Sequence, residues 1–195
     1  TLWVLLPIYL ITVLAFSERQ AVFAWPKGLL PAAFSLETLR FFFGVEGVGK
    51  AIQNSLVVAG LTLLFSLLLG APAGYALARY RFAGADAYRI LILLTRAFPL
   101  AILAIPLAVR FIQLGLYDKP LGVALVHTAL ALPFAVLVTS SLFLGIPKEL
   151  EEAAWTLGCN RLQAFAKVVL PLALPGLAAT AIFAFVISWN EVFAA

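Results

Sequence analysis

The sequence predicts an all-α polytopic membrane protein with about five membrane spans, and three observations carry that reading. First, 64% of the 195 residues are hydrophobic and only 11% are charged, far from the balance of a water-soluble domain. Second, apolar segments of about 20 residues recur along the chain, the length that the hydrocarbon core of a bilayer demands of a helix. Third, none of these segments alternates apolar and polar side chains every second residue, as the strands of a membrane barrel do.

The elements follow in order. Residues 2–16 are apolar but slightly short for a span. Residues 17–50 form a mixed loop with Glu18, Arg19, Lys27, Glu37, Arg40, Glu46 and Lys50, punctuated by Pro26, Pro31 and Gly44. A second span is expected over 52–78, then a tight basic connection, Arg79-Tyr80-Arg81-Phe82-Ala83-Gly84-Ala85-Asp86. The third span is expected over 88–109, and a short loop with Gly115 and Asp118-Lys119-Pro120 leads to the fourth, 122–145. A polar island occupies 146–170, and a fifth span runs from near Pro171 towards the end. The chain opens in apolar sequence, contains no Met and stops without a stop signal. It is therefore expected to be a fragment, truncated at both ends, of a single transmembrane domain covering 1–195.

Arg79, Arg81 and Arg89 in one short connection share a side with Lys148, Arg161 and Lys167 of the island, because two spans separate them. The opposite side carries Arg110 and Lys119 in its short connection and four more basic residues in the 17–50 loop, which counts for less because it is long, so the bias is modest. Basic residues in short loops favour the cytoplasm, so the island is expected there. No basic cluster is interleaved with aromatics, which argues against nucleic-acid binding. A lone cysteine, Cys159, excludes an internal disulfide and supports no metal site. Catalytic and metal-binding residues are accordingly expected to be none.

Gly70-Ala71-Pro72-Ala73-Gly74 gives the second span a face of small residues, of the kind that lets helix backbones approach closely within the chain or across a subunit contact. Pro72, Pro99, Pro106, Pro133 and Pro175 each remove a backbone hydrogen bond and are expected to bend the spans.

The island is patterned as a short helix, a turn and a second short helix. Pro147 suits a first helical turn, and Glu149, Glu151 and Glu152 complement the positive end of the helix dipole. Ile146, Leu150, Ala153, Ala154 and Leu157 recur at helical spacing, an apolar stripe beside an acidic face. Gly158 stands where a left-handed cap is expected. Leu162, Phe165, Ala166 and Val169 are expected on one face of the second helix, with Pro171 opening the next. Ala153 and Ala154 allow a partner to come close, and Glu152 can make charge-assisted hydrogen bonds to it.

Glu152-Ala153-Ala154, Gly158 and Val168-x-Leu170-Pro171 resemble the EAA loop of ABC-importer permease subunits: EAA, three residues, Gly, nine residues, Ile-x-Leu-Pro. Val168 in place of Ile is the one departure. Ala76-Leu77-Ala78-Arg79-Tyr80-Arg81-Phe82 with Gly84, Ile105-Pro106-Leu107, Leu114-Gly115-Leu116, Ile146-Pro147-Lys148-Glu149-Leu150-Glu151 and Ser188-Trp189-Asn190-Glu191 are similar to the carbohydrate-uptake branch, which includes the maltose permease. The resemblance runs from about Asn54 to the end. It implies a six-helix domain of the type I ABC-importer kind, paired with a second permease subunit in the cytoplasmic (inner) membrane of a bacterium or archaeon. It also implies an extracytoplasmic solute-binding protein and an ATP-binding cassette subunit gripped through Glu152, Ala153, Ala154, Gly158, Leu170 and Pro171. The chain has no phosphate-binding loop, so ATP and Mg belong to the partner and no cofactor is expected here.

Polar groups inside spans carry functional hypotheses by default. Arg96 in the third span can snorkel, line a path or pair with a neighbouring subunit. His127 near the start of the fourth span can pack or touch solute. Trp189, Asn190 and Glu191 at the end of the fifth suit a hydroxyl-rich solute, and Trp189 equally suits an interfacial anchor. The rival class, an ion-coupled transporter, needs an intramembrane ion site, for which Glu191 is the serious candidate. Within the family, a non-sugar solute is the alternative.

Overall fold

A computed structural model of the protein describes residues 2–18, 20, 23, 25, 30, 33–97 and 99–192. It divides into two compact units, residues 1–53 and 54–195. In the first, helix α1 (Leu2–Ala15) ends at a single antiparallel bridge between Ser17 and Phe34. There the Phe16 and Phe34 rings stack at 5.2 Å, and the Thr38 hydroxyl of α2 (Glu37–Gly44) donates to the Ser17 carbonyl.

Helix α3 (Val48–Arg79) begins in the first unit and supplies the first long element of the second. It is followed by α4 (Ala85–Thr95), α5 (Leu100–Gln113), α6 (Pro120–Leu144), α7 (Lys148–Thr156), α8 (Arg161–Ala164), a π-helical turn (Phe165–Val169) and α9 (Leu170–Asn190). Among the described residues three helices are long and apolar enough to cross a membrane: 48–79, 120–144 and the continuous 161–190. The predicted first span is the shorter apolar α1. The predicted third span, 88–109, is two helices rather than one. Pro99, extended at φ −67° and ψ 121°, caps α5, because a proline cannot donate to the preceding turn and disfavours helix in the residue before it. Pro72, Pro106, Pro133 and Pro175 lie inside continuous helices.

The packing is written in small residues. Val58, Ala59, Thr62, Ser66, Gly70, Gly74 and Ala78 form a buried stripe at about four-residue spacing along α3. A side chain at Gly70 would come within 2.8 Å of the Ala135 Cβ of α6, and one at Gly74 would collide with the Thr139 hydroxyl and the Ser140 backbone nitrogen. The Thr139 hydroxyl lies between the Gly70 carbonyl, at 3.0 Å across the contact, and the Ala135 carbonyl of its own helix, at 2.7 Å, and can share its hydrogen between them. The small-residue face is therefore filled within this chain. Helix α9 lies on α6 through stacked Phe134 and Phe183 rings, 3.7 Å apart, and through Gly176 against Leu142.

Buried positions along the last helix are Ala164, Val169, Ala173, Leu177, Thr180, Ala184 and Ser188. They recur every three or four residues except for one five-residue step, which coincides with the π turn. A π turn adds a residue without ending the helix, so the inward stripe stays in phase through Pro171, whose missing N–H a normal helix would have needed. Pro171 stands in the first turn of α9, as expected, although that helix continues the π turn without a break, and one expectation is corrected: Leu162 (76% exposed) does not share a face with Val169.

Replacing Gly74 with Ala overpacks the α3–α6 contact and should cost about 1–3 kcal/mol of stability. Gly60→Ala, whose new methyl meets nothing within 4 Å, is the control. Thermal unfolding of the detergent-solubilised variants checks this, and equal midpoints for the two would disprove the close approach.

Candidate functional site

Polar side chains gather at two ends of the second unit. At the end formed by the start of α6 and the end of α9, a cavity of about 500 Å³ opens between α3, α5, α6 and α9. Asn54, Ser55, His127, Ser188, Trp189 and Glu191 contribute to its wall, and the Tyr117–Pro120 loop contributes the remaining polar rim. Asp118 in that loop is left-handed, at φ 55°, a conformation that Asp tolerates better than most residues.

His127 is 1% exposed, and its Nδ1 lies 2.8 Å from the Ser188 hydroxyl. Ser188 donates to Thr62, and Thr62 donates to the Ala124 carbonyl. The short contact at Nδ1 ties the imidazole into this polar chain and leaves Nε2 as its other hydrogen-bonding atom. Nε2 has no hydrogen-bond partner among the described residues. Buried polar atoms are nearly always paired, so an unpaired ring nitrogen on a residue that lines a cavity points to a ligand that hydrogen-bonds there.

Of the residues expected to touch solute, His127, Trp189 and Glu191 therefore share one cavity. Asn190 does not line it: exposed, it turns its amide back to the Val186 carbonyl at 2.9 Å. Arg96 is outside it too, exposed at the C-terminal cap of α4, where its N–H donates to the Leu93 carbonyl. The broken third span explains the difference, because Arg96 marks the end of a helix rather than the middle of one.

The other end carries the island. Gly158 adopts φ +89°, as expected of a left-handed cap, and Asn160 with Gln163 closes a reciprocal capping box that starts α8. Glu152 and Ala153 are exposed, with Leu157 (86%) beside Gly158. Ala154 instead turns inward, and Leu170 and Pro171 sit in the first turn of α9, half-buried and exposed. The stripe expected through Leu150 and Leu157 faces away from the chain; the inward face of α7 is Glu151 and Ala154.

Glu151 is the residue that the sequence pattern did not single out. The pattern places it on an acidic face, yet it is 3% exposed. Arg79 donates through Nε to one carboxylate oxygen, and the Tyr75 hydroxyl donates to the other at 2.6 Å. Arg79 also reaches the Ile146 carbonyl through Nη2 at 3.0 Å. The Tyr75 ring stands edge-on to Phe143 and Phe165, at 5.5 and 4.6 Å. The available signal was Tyr75-x-x-x-Arg79, one turn apart on the end of α3.

Comparison with known proteins agrees with this geometry. Residues 66–195 match the family described as the binding-protein-dependent transport system inner membrane component. The trehalose transport system permease protein SugB of Mycobacterium tuberculosis is 37% identical over 170 residues, 86% of this chain and 61% of that protein. The diacetylchitobiose uptake system permease protein DasC of Streptomyces coelicolor is 29% identical over 185 residues, 95% of this chain and 67% of that protein. A crystal structure of a bacterial ABC transporter involved in the import of the acidic polysaccharide alginate superposes with a TM-score of 0.80 at 27% identity, covering 98% of this chain and 67% of that chain. The chain thus spans about two thirds of the length of each.

Ser188→Ala breaks the His127–Ser188–Thr62 chain in its middle and should cost about 1–3 kcal/mol, because it strands the buried Nδ1 of His127. Ser141→Ala removes an exposed hydroxyl that bonds only its own helix, and should change little. Parallel unfolding curves decide it: a loss no greater at 188 than at 141 would refute the chain.

Proposed function

This chain belongs to the family of binding-protein-dependent transport system inner membrane components, and on that premise we propose that it carries a neutral, hydroxyl-rich carbohydrate across the cytoplasmic membrane as one transmembrane subunit of an ATP-driven ABC importer. Trehalose and diacetylchitobiose, in the names of two relatives, are the nearest guides to the solute. The observation that carries the reading is the island itself: a left-handed Gly158 presenting exposed Glu152, Ala153 and Leu157 on the turn between two short helices. That surface suits the cleft of an ATP-binding subunit, with Glu152 making charge-assisted hydrogen bonds there.

The orientation follows from Arg79, Arg81, Arg89, Lys148, Arg161 and Lys167, which load the island's side with positive charge and so favour the cytoplasm. ATP and Mg are assigned to the partner subunit, and the chain itself is no enzyme. A second permease subunit and an extracytoplasmic solute-binding protein complete the assembly. In the cycle, closure of the ATPase pair draws the islands together and opens the opposite end to the binding protein; hydrolysis and reset release solute inward.

The cavity supplies the case for a neutral sugar. Its volume of about 500 Å³ lies within the range that holds small ligands. Its wall carries the carboxylates of Glu191 and Asp118 as acceptors beside the unpaired His127 Nε2, and among the described lining residues Lys119 supplies the ammonium. Acceptors favour hydroxyl donors, and two carboxylates against one ammonium disfavour an acidic saccharide. Trp189, whose ring stacks on Phe185 at 5.6 Å, adds an aromatic surface to the wall, of the kind that suits a sugar ring.

Two experiments test the reading. Gly158→Val forces a β-branched residue into a left-handed turn, so the assembled ATPase and solute uptake should both be lost while membrane insertion persists. Survival of both would refute the docking assignment. His127→Phe should abolish uptake of labelled trehalose or diacetylchitobiose, whichever the wild-type transporter imports, without loss of ATPase capture. Undiminished uptake by that variant would remove the cavity from the path.

A further inference from the structure

We propose that Tyr75, Arg79 and Glu151 form a positioning clasp that makes α7 and the end of α3 move as one rigid body, so that displacement of α7 reaches the spans undiminished. The proposal rests on the reading of α7 as the ATPase-docking helix. It concerns the opposite face of that helix, the one turned away from any partner.

The geometry is that of a register device. Glu151 uses both carboxylate oxygens, one towards Arg79 and one towards Tyr75, and Arg79 holds the Ile146 carbonyl with its remaining arm. The donors stand on α3, one turn apart. The acceptors stand on α7 and on the residue that leads into it. The side chains of Arg79 and Glu151 are 7% and 4% exposed, so rotating α7 about its axis would leave a buried carboxylate and a buried guanidinium unpaired. Among the described residues, no other ion pair or side-chain hydrogen bond joins α7 to another helix. The Tyr75 ring extends the contact to Phe143 at the end of α6 and to Phe165 in the π turn that leads into α9. All three long helices of the unit therefore meet at one phenol.

Stability alone does not call for such a group. A buried ion pair replaced by apolar residues of similar size often leaves a fold as stable as before or more so. What apolar contact does not provide is a single allowed rotation of the helix. The clasp is accordingly a fixer of orientation, and its removal should preserve the fold while loosening the lever.

The test uses the whole transporter in nanodiscs, with Cys159→Ser and spin labels at Glu149 on α7 and at Tyr80 beyond α3. In the unsubstituted background the distance distribution should be single and narrow, with and without Mg-ATP. Arg79→Met/Glu151→Leu, which keeps the volume filled, should assemble with the ATPase yet broaden that distribution about twofold. Import of the carbohydrate probe per ATP hydrolysed should fall by about fivefold or more, the lower end of site-to-site coupling. Glu151→Gln, with the shape unchanged and the charge gone, should lie between, and Arg79→Lys should restore much of the narrow distribution. A distribution as narrow in the apolar double variant as in the wild type, or an unchanged import ratio, overturns the clasp while leaving the docking surface intact. Failure of the wild-type chain to capture the ATPase fails the docking reading instead, and the clasp with it.

Discussion

The architecture depends on how closely α3 can lie on α6. In lipid no hydrophobic drive presses helices together, so association rests on packing and on the few polar contacts that packing permits. Gly70 and Gly74 remove the side chains that would hold the backbones apart, and Thr139 converts the gap into an interhelical hydrogen bond. Both functional ends hang on this seam. Thr62, in the polar chain of the cavity, and Tyr75 with Arg79, in the clasp, stand on the same helix on either side of the two glycines. At 1.5 Å per residue, Thr62 and Tyr75 are about 20 Å apart along it. A helix held that tightly in its middle serves as a ruler between the two ends.

The π turn solves a matching problem on the other side. The last helix must serve the island at its start and the cavity at its end, with one continuous buried stripe between. Pro171 interrupts the hydrogen-bond ladder near the join. Inserting one residue at Phe165–Val169 takes up the phase error where it arises, and Phe165 packs against Tyr75 in that same turn. The irregularity thus lies in the segment that links island to span, where a stiff junction matters most.

Much of this was legible in the sequence. The membrane class, the long second, fourth and fifth spans, the glycine face of α3 and the left-handed cap at Gly158 all follow from periodicity, composition or residue-specific backbone chemistry. What escaped shares a different character. Pro99 stands before the first turn of a helix while Pro106 and Pro133 lie inside theirs, because the outcome depends on whether neighbouring backbone finds other partners, which no local pattern records. Glu151 was grouped with Glu149 and Glu152 because all three suit a helix start. Only the fold brings Arg79, 72 residues earlier, against that one of the three. His127 stands more than sixty residues from Trp189 and Glu191, and their convergence on one cavity is a long-range fact of the same kind. Local rules reached the elements and missed the pairings between them.

The two ends differ most in how completely their polar groups are satisfied. In the clasp both oxygens of Glu151 are engaged, and Arg79 spends its donors on two acceptors. Such a network has one arrangement and resists change, as a part that transmits displacement requires. At the cavity the hydrogen-bond chain stops at the imidazole, leaving the Nε2 of a nearly fully buried histidine without a partner among the described residues. Leaving such an atom unpaired costs folding free energy, and a hydrogen-bonding ligand recovers it on binding. The saturated end is therefore suited to carry force and the unsaturated end to hold cargo, a division of labour set by hydrogen-bond satisfaction on the two halves of one helix.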